Sequence, residues 1–321
     1  MYGKLDFLNC AFGLVPQYLD GYESTIDSPA FDFIDGYPKF ILERVKQRSF
    51  YKKYGEKANG SRKAKRINQK DFLQMPLFVP DNKEQQKIGE FFSKLDIQIE
   101  LEEQKLEKLE ELKKGYMQKI FSQELRFKDE NGNDYPEWEE KLLSEIGDIV
   151  TGNTPSKKVE EYWESNDYIW VTPKDITNTK NIKNSFEKLS SKGFEKARKL
   201  PKNTLLVTCI ASIGKNAILK KEGSCNQQIN AVIPFSNSDI DYIYYAFDDL
   251  SKLMKKIAGK TATQIINKSF FENLSINLPF YQEQVKISKF LNGYDHLIDW
   301  QIKKIEYLEL NKKGLLKKLL V

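Results

Sequence analysis

Four short segments carry side chains suited to hydrogen bonding with a polar ligand. They are residues 62–66, 151–158, 170–175 and 226–230, which are rich in Lys, Arg, Thr, Asn and Gln. Gln, Asn and Thr can pair with the edges of nucleic-acid bases, and Lys and Arg can contact phosphates or guanine. These residue types predict a nucleic-acid interface, with ordinary turn chemistry as the alternative for each segment.

Residues that support catalysis are scarce. The chain has one histidine, His296, and three widely spaced cysteines, a composition that argues against a Ser/His/Asp triad, a zinc site or a disulfide framework. Gly259-Lys260-Thr261 resembles the end of a phosphate-binding loop, but Met254 stands where that pattern requires a glycine. We therefore predict that this chain is not an enzyme and binds no metal.

Charge is unevenly distributed along the first seventy residues. Residues 1–38 carry one Lys against six acidic residues, whereas residues 39–70 carry twelve Lys or Arg against two Glu. A basic block of this kind concentrates positive potential, and its commonest partner is a polyanion. A solvated Lys-rich helix face is the alternative. The sequence shows neither a membrane-spanning run nor the layout of an export signal, so we expect a cytoplasmic protein.

The chain repeats itself at an offset of 199 residues. Residues 60–121 align with residues 259–320 without a gap, with identities that include the pairs Gln85/Gln284, Asp96/Asp295 and Lys113/Lys312. This period is far longer than that of a solenoid repeat, so it indicates a duplicated unit of a domain followed by a long helix. By the same offset Met1 matches Leu200, and the first copy has no counterpart of residues 136–199.

Both copies of the long helix show apolar residues at alternating spacings of three and four. The first seam runs from Ile88 to Ile120 and the second from Ile287 to Leu319. Such a narrow stripe favours a partner helix, and the other copy is the economical partner. Parallel pairing would bring together two lysines, so we predict an antiparallel pair. In that pair we expect Glu102 beside Lys312 and Gln301 beside Lys113.

The segments between the helices predict an α+β class. Strand-like runs occur at residues 168–172, 204–208 and 230–234, and a helix is expected from about Ile240 to Ile257. Extended stretches are expected at residues 75–80 and 274–279, just before the long helices. A polar stretch at residues 129–136 is typical of a linker.

Several motifs together resemble the specificity subunit of type I restriction–modification systems. They occur in order along essentially the whole chain: Gly152-Asn153-Thr154-Pro155-Ser156, Glu161-Tyr162-Trp163, Trp170-Val171-Thr172-Pro173-Lys174-Asp175-Ile176, Cys209-Ile210-Ala211-Ser212-Ile213-Gly214-Lys215, Asn226-Gln227-Gln228-Ile229-Asn230-Ala231 and Glu283-Gln284-x-Lys286-Ile287. The resemblance implies two target-recognition domains, here with the first incomplete, separated by an antiparallel coiled coil of two long helices. The implied segments are a partial first domain (1–80), the first helix (81–125), a linker (126–135), a complete second domain (136–279) and the second helix (280–321).

The resemblance also implies a function and partners. A subunit of this kind reads double-stranded DNA in a bacterium or archaeon and docks two methyltransferase (modification) subunits, which restriction subunits join. It would bind no cofactor itself, whereas its partners would use S-adenosylmethionine, ATP and Mg. Adenine methylation and ATP-dependent cleavage would belong to those partners. The shortened first domain departs from the family pattern, which puts half-site reading by that domain in doubt.

The predicted DNA-contacting residues come from the loops and from their repeat counterparts. Two copies of one loop with different polar side chains, at 62–66 and 261–265, would suit two reading heads for different sequences. The predicted contacts are Arg62, Lys63, Lys65, Arg66, Thr151, Asn153, Thr154, Lys157, Lys158, Trp170, Thr172, Lys174, Lys215, Asn226, Gln227, Gln228, Lys260, Thr261 and Thr263.

Two other classes of function stay open on the sequence alone. A structural adaptor could join its partners through the coiled coil without any loop chemistry. A truncated, non-specific nucleic-acid-binding module could instead use Trp170 and the tyrosines to stack on single-stranded bases. Competition between duplex and single-stranded oligonucleotides would separate the second class from a duplex reader.

Overall fold

The computed structural model describes residues 1–56, 66–165, 167–177, 179–258 and 265–320. The chain forms two compact units, which are described separately here. The first comprises Met1–Leu109 and Ile298–Val321, and the second comprises Glu110–Leu297. Each unit therefore contains part of both long helices.

Helices dominate the first unit, and helices and strands share the second. The α-helices are α1 (Pro38–Val45), α2 (Arg48–Gly55), α3 (Gln69–Leu73), α4 (Asn82–Phe121), α5 (Leu143–Ile146), α6 (Ser191–Lys196), α7 (Ile240–Ala258), α8 (Lys268–Glu272) and α9 (Tyr281–Leu319). Short 3₁₀ turns occur at Phe7–Asn9, Gln17–Leu19 and Glu160–Tyr162. No helix within the described ranges is long and apolar enough to span a membrane.

All the strands of the described residues lie in the second unit. They are β1 (Glu139–Leu142), β2 (Gly147–Thr151), β3 (Tyr168–Val171), β4 (Asn181–Ile182), β5 (Glu187–Leu189), β6 (Thr204–Thr208), β7 (Asn216–Leu219), β8 (Gly223–Cys225), β9 (Ile229–Pro234) and β10 (Ser275–Leu278). They form a five-stranded sheet in the order β2-β9-β6-β7-β4, a three-stranded sheet β5-β3-β8 and the pair β1-β10. The α+β class is confirmed, as are the helix predicted at 240–257 and the strands predicted at 168–172, 204–208 and 230–234.

The core of the second unit lies between its sheets and the long helices. Every residue of β6 is buried, and its Leu205 and Val207 share one core with α7 and with Ile287 and Leu291 of α9. A cluster of buried polar side chains also connects α7 to α9. The Tyr245 hydroxyl donates to Asn292 Oδ1 (2.8 Å), and Lys180 pairs with Asp241 (2.6 Å). Because these groups are shielded from water and satisfy one another, they hold α7 to α9 in one arrangement.

The two long helices pack antiparallel in each unit, as predicted. In the second unit Lys113 pairs with Asp295 at 2.5 Å, and three residues further along α4 the ring of Tyr116 packs edge-on against Phe290. In the first unit Lys312 pairs with Asp96. These two ion pairs are exact counterparts under the 199-residue offset.

The predicted register of the helix pair is wrong. Glu102 does not meet Lys312; it faces its own repeat counterpart, and the Gln301 amide donates to the Glu102 carboxylate at 2.7 Å and to its carbonyl at 2.9 Å. Lys113 likewise meets Asp295 and not Gln301. The prediction considered only polar residues inside the seam. The aspartates beside the seam offer each lysine a full opposite charge, which a neutral amide cannot match.

A glutamine that recurs in both copies anchors each long helix to the segment that precedes it. Gln284 donates to Pro279 O (2.8 Å) and accepts from the Asp239 backbone N–H (2.8 Å). Its counterpart Gln85 donates to Pro80 O (2.8 Å) and accepts from the Tyr37 backbone N–H (3.0 Å). Both side chains are buried, so the repeat preserves a satisfied polar contact.

The repeat keeps the positions of the short helix and the long helix that follows it, but the elements before them differ, since α1 and α2 stand where the second copy has the single helix α7. α3 and α8 match residue for residue at the offset of 199, and α4 and α9 begin 199 residues apart. The counterpart of β10, residues 76–79, was predicted to be extended but is not a strand. β10 exists because β1 pairs with it, and residues 1–80 contain no counterpart of β1. Without a partner strand there is no ladder of hydrogen bonds.

A buried ion pair joins the linker to α9. Arg126 donates to both carboxylate oxygens of Glu283, from Nε at 3.1 Å and from a terminal nitrogen at 2.9 Å, and the indole N–H of Trp138 donates to the same group at 3.1 Å. The Glu283 side chain is fully buried. The Glu283 carboxylate also raises the pKa of the Arg126 guanidinium. The Glu283 carboxylate therefore accepts three hydrogen bonds, which connect Arg126 and Trp138 to the start of α9.

Replacing Glu283 by Ala is expected to destabilise the second unit by about 1–3 kcal/mol, since Arg126 and Trp138 lose the buried acceptor that they share. Urea unfolding followed by far-UV circular dichroism measures the loss. The repeat counterpart Glu84, which is exposed, is the matched control, and Glu84→Ala should leave the midpoint nearly unchanged. Equal effects from both variants would contradict the role assigned to the buried pair.

Candidate nucleic-acid interface

Four loops meet at one end of the sheets in the second unit. Residues 151–158 follow β2, residues 171–175 follow β3, residues 209–215 connect β6 to β7, and residues 226–228 connect β8 to β9. The strand register explains the convergence, because Thr151 pairs with Asn230, Thr208 with Ile229 and Val171 with Cys225. We call these four segments the loop cluster.

Backbone hydrogen bonds join the loops to one another. The donors and acceptors are Gly152 N to Ile229 O (3.0 Å), Asn153 N to Cys225 O (2.9 Å), Asn226 N to Val171 O (2.9 Å) and Cys209 N to Gln228 O (2.8 Å). Segments that lie up to about seventy residues apart in sequence are thereby fixed against each other. Such a rigid support is what a binding surface built from loops requires.

Gly152 permits the closest of these approaches. A Cβ at this position would lie 2.2 Å from Asn226 O and 2.3 Å from Cys225 O. Both neighbours are backbone atoms and cannot move as a flexible side chain could. Glycine is therefore required for the 151–158 loop to pack against the 226–228 loop.

Several of the predicted contact residues hold the loops together. Trp170 is 3% exposed, and its indole N–H donates to Asn153 O at 3.0 Å. Asn226 is 8% exposed, and its amide donates to the side chain of Gln228 at 3.1 Å. The Thr172 hydroxyl donates to Asp175 at 2.7 Å. These side chains are engaged within the protein, so they shape the surface.

Other predicted residues present their side chains to solvent. Thr154, Lys157, Lys158, Lys174, Lys215 and Gln227 are exposed. The Thr154 hydroxyl donates to Gln227 Oε1 at 2.5 Å, which joins two loops through their exposed side chains. Lys157 pairs with Glu187, and its ammonium lies 3.4 Å from the centre of the Trp163 ring. The exposed set thus combines one amide, one hydroxyl and several cations on one surface.

Arg198 is part of this site and was missed from the sequence. Its guanidinium donates to Thr151 O at 2.5 Å, and its backbone N–H donates to Asn153 Oδ1 at 2.7 Å. The Thr151 hydroxyl in turn donates to the buried Asn230 at 2.7 Å. A basic run, Lys196, Arg198, Lys199 and Lys202, was visible in the sequence. Its position beside the 151–158 loop could be recognised only from the fold.

The remaining predicted contacts lie mostly outside the described residues. These are Arg62, Lys63, Lys65, Lys260, Thr261 and Thr263. Arg66 is described, exposed and paired with Asp27. Ile265 forms a β-bridge with Ile210, and the Ile266 N–H donates to Cys209 O at 2.9 Å. The described chain at 265–266 therefore runs directly beside the 209–215 loop.

The two cysteines of the second unit have raised pKa values. Burial raises the pKa of Cys209 to about 12 and that of Cys225 to about 12, so both thiols are protonated at neutral pH and neither is a nucleophile. Within the described ranges, no group of three or more His, Cys, Asp or Glu is arranged to hold a metal ion.

The chain thus combines a duplicated segment, two long antiparallel helices and a loop-bearing α+β domain. The family model described as "Type I restriction modification DNA specificity domain" matches residues 40–111 and 135–310, well over half of the 321 residues. The chain belongs to this family, which confirms the resemblance found in its motifs.

Curated relatives match parts of the chain. The MjaIX specificity subunit of Methanocaldococcus jannaschii is 33% identical over 59% of this chain and 45% of its own length. The HindI specificity subunit of Haemophilus influenzae is 32% identical over 44% of this chain and 32% of its own length. The EcoR124I/EcoR124II specificity subunit of Escherichia coli is 31% identical over 50% of this chain and 41% of its own length. The aligned regions thus span less than half of each of these relatives.

Solved structures share the fold. The type I restriction–modification S subunit of M. genitalium aligns with a TM-score of 0.59 and 19% identity over 88% of this chain and 72% of that chain. A chain from a structure of type I R-M complex assembly aligns with a TM-score of 0.59 and 15% identity, covering 89% and 71%. At these identities the likeness establishes the fold alone.

Gly152→Ala is expected to disrupt the loop cluster, since the added methyl cannot fit between two backbone carbonyls. The cost should be about 1–3 kcal/mol or more, and hydrogen exchange should rise at the backbone amides of Asn153 and Asn226. Gly115→Ala is the control, because that Cβ would meet no atom within 4 Å and alanine favours a helix interior. Unchanged protection in Gly152→Ala would refute the proposed packing.

Proposed function

We propose that this chain recognises a sequence in double-stranded DNA as the specificity subunit of a type I restriction–modification complex. The observation that supports this proposal best is the convergence of four loops that present Thr, Gln and Lys side chains at one end of the sheets. Family membership supports it independently. The chain would act in the cytoplasm of a bacterium or archaeon, where its DNA substrate lies.

The exposed residues divide into two roles under this proposal. Gln227 and Thr154 would address base edges, since amides and hydroxyls can discriminate between bases in the major groove. Lys158, Lys174 and Lys215 would contact phosphates and fix the position of the domain on the duplex. Arg62, Lys63, Lys65 and Arg66 in the first copy, and Lys260, Thr261 and Thr263 in the second, remain predicted contacts.

Partner proteins would perform the chemistry. Two modification subunits would methylate adenine with S-adenosylmethionine, and restriction subunits would cleave DNA with ATP and Mg, so this chain would need no cofactor and would catalyse no step. The long helices offer a docking surface for the modification subunits. Leu101 and Trp300, which are repeat counterparts, are 58% and 57% exposed, and paired exposed apolar residues of this kind suit a protein interface.

A duplex is favoured over single-stranded nucleic acid by the burial of Trp170. Binding of unpaired bases relies on aromatic faces on which bases stack. Trp170 is 3% exposed and packs edge-on against Trp163, so it offers no free face. A purely structural adaptor would not need exposed amides and cations joined across four loops.

Co-expression with the modification subunit, followed by mapping of methylated adenines across the genome, tests the proposed function. A defined methylated sequence that disappears when this chain is omitted is the expected result. Methylation without any sequence preference would refute the specificity role. Loss of complex formation on purification would refute the docking role.

Gln227→Ala should lower the preference for the cognate duplex over random duplex by about 1–3 kcal/mol, the contribution of one bidentate base contact. Gln228→Ala should lower this preference less than Gln227→Ala does, since the Gln228 side chain already accepts a hydrogen bond from Asn226. It should instead weaken the packing of the 226–228 loop. Fluorescence anisotropy with both duplexes measures the two affinities. Gln118→Ala, an exposed position on α4, is the control. An equal loss of affinity for both duplexes would mean that Gln227 supports the structure of the loop and does not discriminate between bases.

Lys174→Ala should weaken binding to cognate and random duplexes alike. It should also reduce the slope of log affinity against log salt by about 0.9, the value for one neutralised phosphate. Titrations at several KCl concentrations measure the slope. Lys252→Ala is the control, because Lys252 pairs with two aspartates on α7 at 2.8 and 2.9 Å. An unaltered slope in Lys174→Ala would exclude a phosphate contact.

A further inference from the structure

A single phenylalanine stands on the surface of the second unit, in the turn between β4 and β5. The Phe186 side chain is 85% exposed, the largest fraction of any large apolar side chain in the described part of this unit. Its neighbours in sequence, Lys183, Asn184 and Glu187, are polar and exposed. One isolated apolar side chain on a surface needs no function by itself. What distinguishes Phe186 is the way in which its backbone is held.

Three hydrogen bonds to side chains fix the backbone of this turn. The Phe186 N–H donates to Asp175 Oδ1 at 2.7 Å, and the Trp170 N–H donates to the hydroxyl of the buried Ser185 at 3.1 Å. The Ser185 hydroxyl itself donates to the carbonyl of Glu187. These contacts hold the Phe186 backbone in one position, as a side chain that makes a specific contact requires.

Contacts of the same turn join it to the loop cluster. Asp175, which receives the Phe186 N–H, belongs to the loop after β3, and its other oxygen accepts from the backbone N–H and from the hydroxyl of Thr172, both at 2.7 Å. Glu187 pairs with Lys157 of the loop after β2. Phe186 therefore stands next to two of the four loops, and the negative charge of Glu187 beside it is balanced by a lysine.

The polar surroundings of Phe186 favour a small apolar group on an otherwise polar ligand. A protein interface has an apolar centre, and the polar residues beside Phe186 do not supply one. In the major groove of a duplex the apolar group on the base edges is the C5-methyl group of thymine, and phenylalanine is among the side chains that contact it. A wedge between base pairs would act in the minor groove, whose edges give the Thr and Gln side chains of the loop cluster little to discriminate.

We propose that Phe186 contacts the C5-methyl group of one thymine in the sequence that the second unit recognises. The inference rests on the proposed function, because it requires a duplex bound at the loop cluster. Phe186 adds an apolar contact to the hydrogen bonds of Gln227 and Thr154, and it selects thymine over cytosine, which carries no methyl group at C5. Asp175 is a positioning residue, since its carboxylate fixes both the Phe186 backbone and the loop that carries Lys174.

Uracil differs from thymine only by the missing methyl group, so it is the probe for this contact. The duplex carries the sequence defined by mapping methylated adenines, and each thymine in turn is replaced by uracil. Fluorescence anisotropy with the full chain should show one thymine at which uracil weakens binding by about fourfold, the effect of one methyl group removed from an apolar contact. Phe186→Ala should bind the thymine duplex at least about fourfold more weakly than the wild-type chain, and uracil at that position should cause no further loss.

Two further variants separate the contact from an effect on folding. Phe186→Leu keeps an apolar side chain, so it should keep the sensitivity to uracil. Phe235→Ala is the matched control, because Phe235 is 41% exposed and follows β9 at the end remote from the loop cluster; it should leave the sensitivity to uracil unchanged. Thermal melts of both Phe186 variants should match that of the wild-type chain, since the side chain is exposed.

The outcomes distinguish failure of this contact from failure of the proposed function. Equal affinity of the wild-type chain for the mapped duplex and for random duplex would refute DNA recognition, and the thymine contact with it. A preference for the mapped duplex that no uracil substitution alters would overturn the thymine contact alone. Weaker binding of Phe186→Ala to thymine and uracil duplexes alike, without a uracil effect in the wild-type chain, would also overturn it and would indicate a wedge between base pairs.

Discussion

The seam between α4 and α9 is the contact on which the packing within each unit depends. Each helix follows a short capped helix, an intervening segment and a proline, and each is held at its start by a buried glutamine. The lysine–aspartate pairs then fix the register in both units, through identical residues at positions 199 apart. Exposed ion pairs contribute little free energy, so their main effect is to select one alignment of an apolar contact.

The loop cluster follows from the topology of the second unit. β2, β9 and β6 are neighbours in one sheet, and β3 and β8 are neighbours in another. Their ends coincide, so side chains from four distant segments reach one surface. The side chains of the buried members, Trp170 and Asn226 among them, are engaged within the protein. They keep the exposed Thr154, Gln227 and lysines in place, which is the requirement for specific recognition by loops.

The sequence predicted the two long helices, α7 and the segments of the site, whereas the shorter helices were not predicted. A seam of apolar residues fixes the long helices, and a stretch of β-branched residues between turn signals fixes strands such as β6. The register of the helix pair could not be predicted from seam residues alone, because Asp96 and Asp295 lie beside the seam. The loss of a strand at residues 76–79 depends on a partner distant in sequence. Arg198 was missed because its role depends on which loops become neighbours.

Gln284 contacts the preceding domain only through main-chain atoms: the carbonyls of Pro279 and Asn237 and the N–H of Asp239. Hydrogen bonds to backbone atoms do not depend on which side chains the preceding residues carry. Substitutions of the side chains at residues 237, 239 and 279 would leave these three hydrogen bonds in place, so this anchor of α9 tolerates sequence change in the segments that hold it.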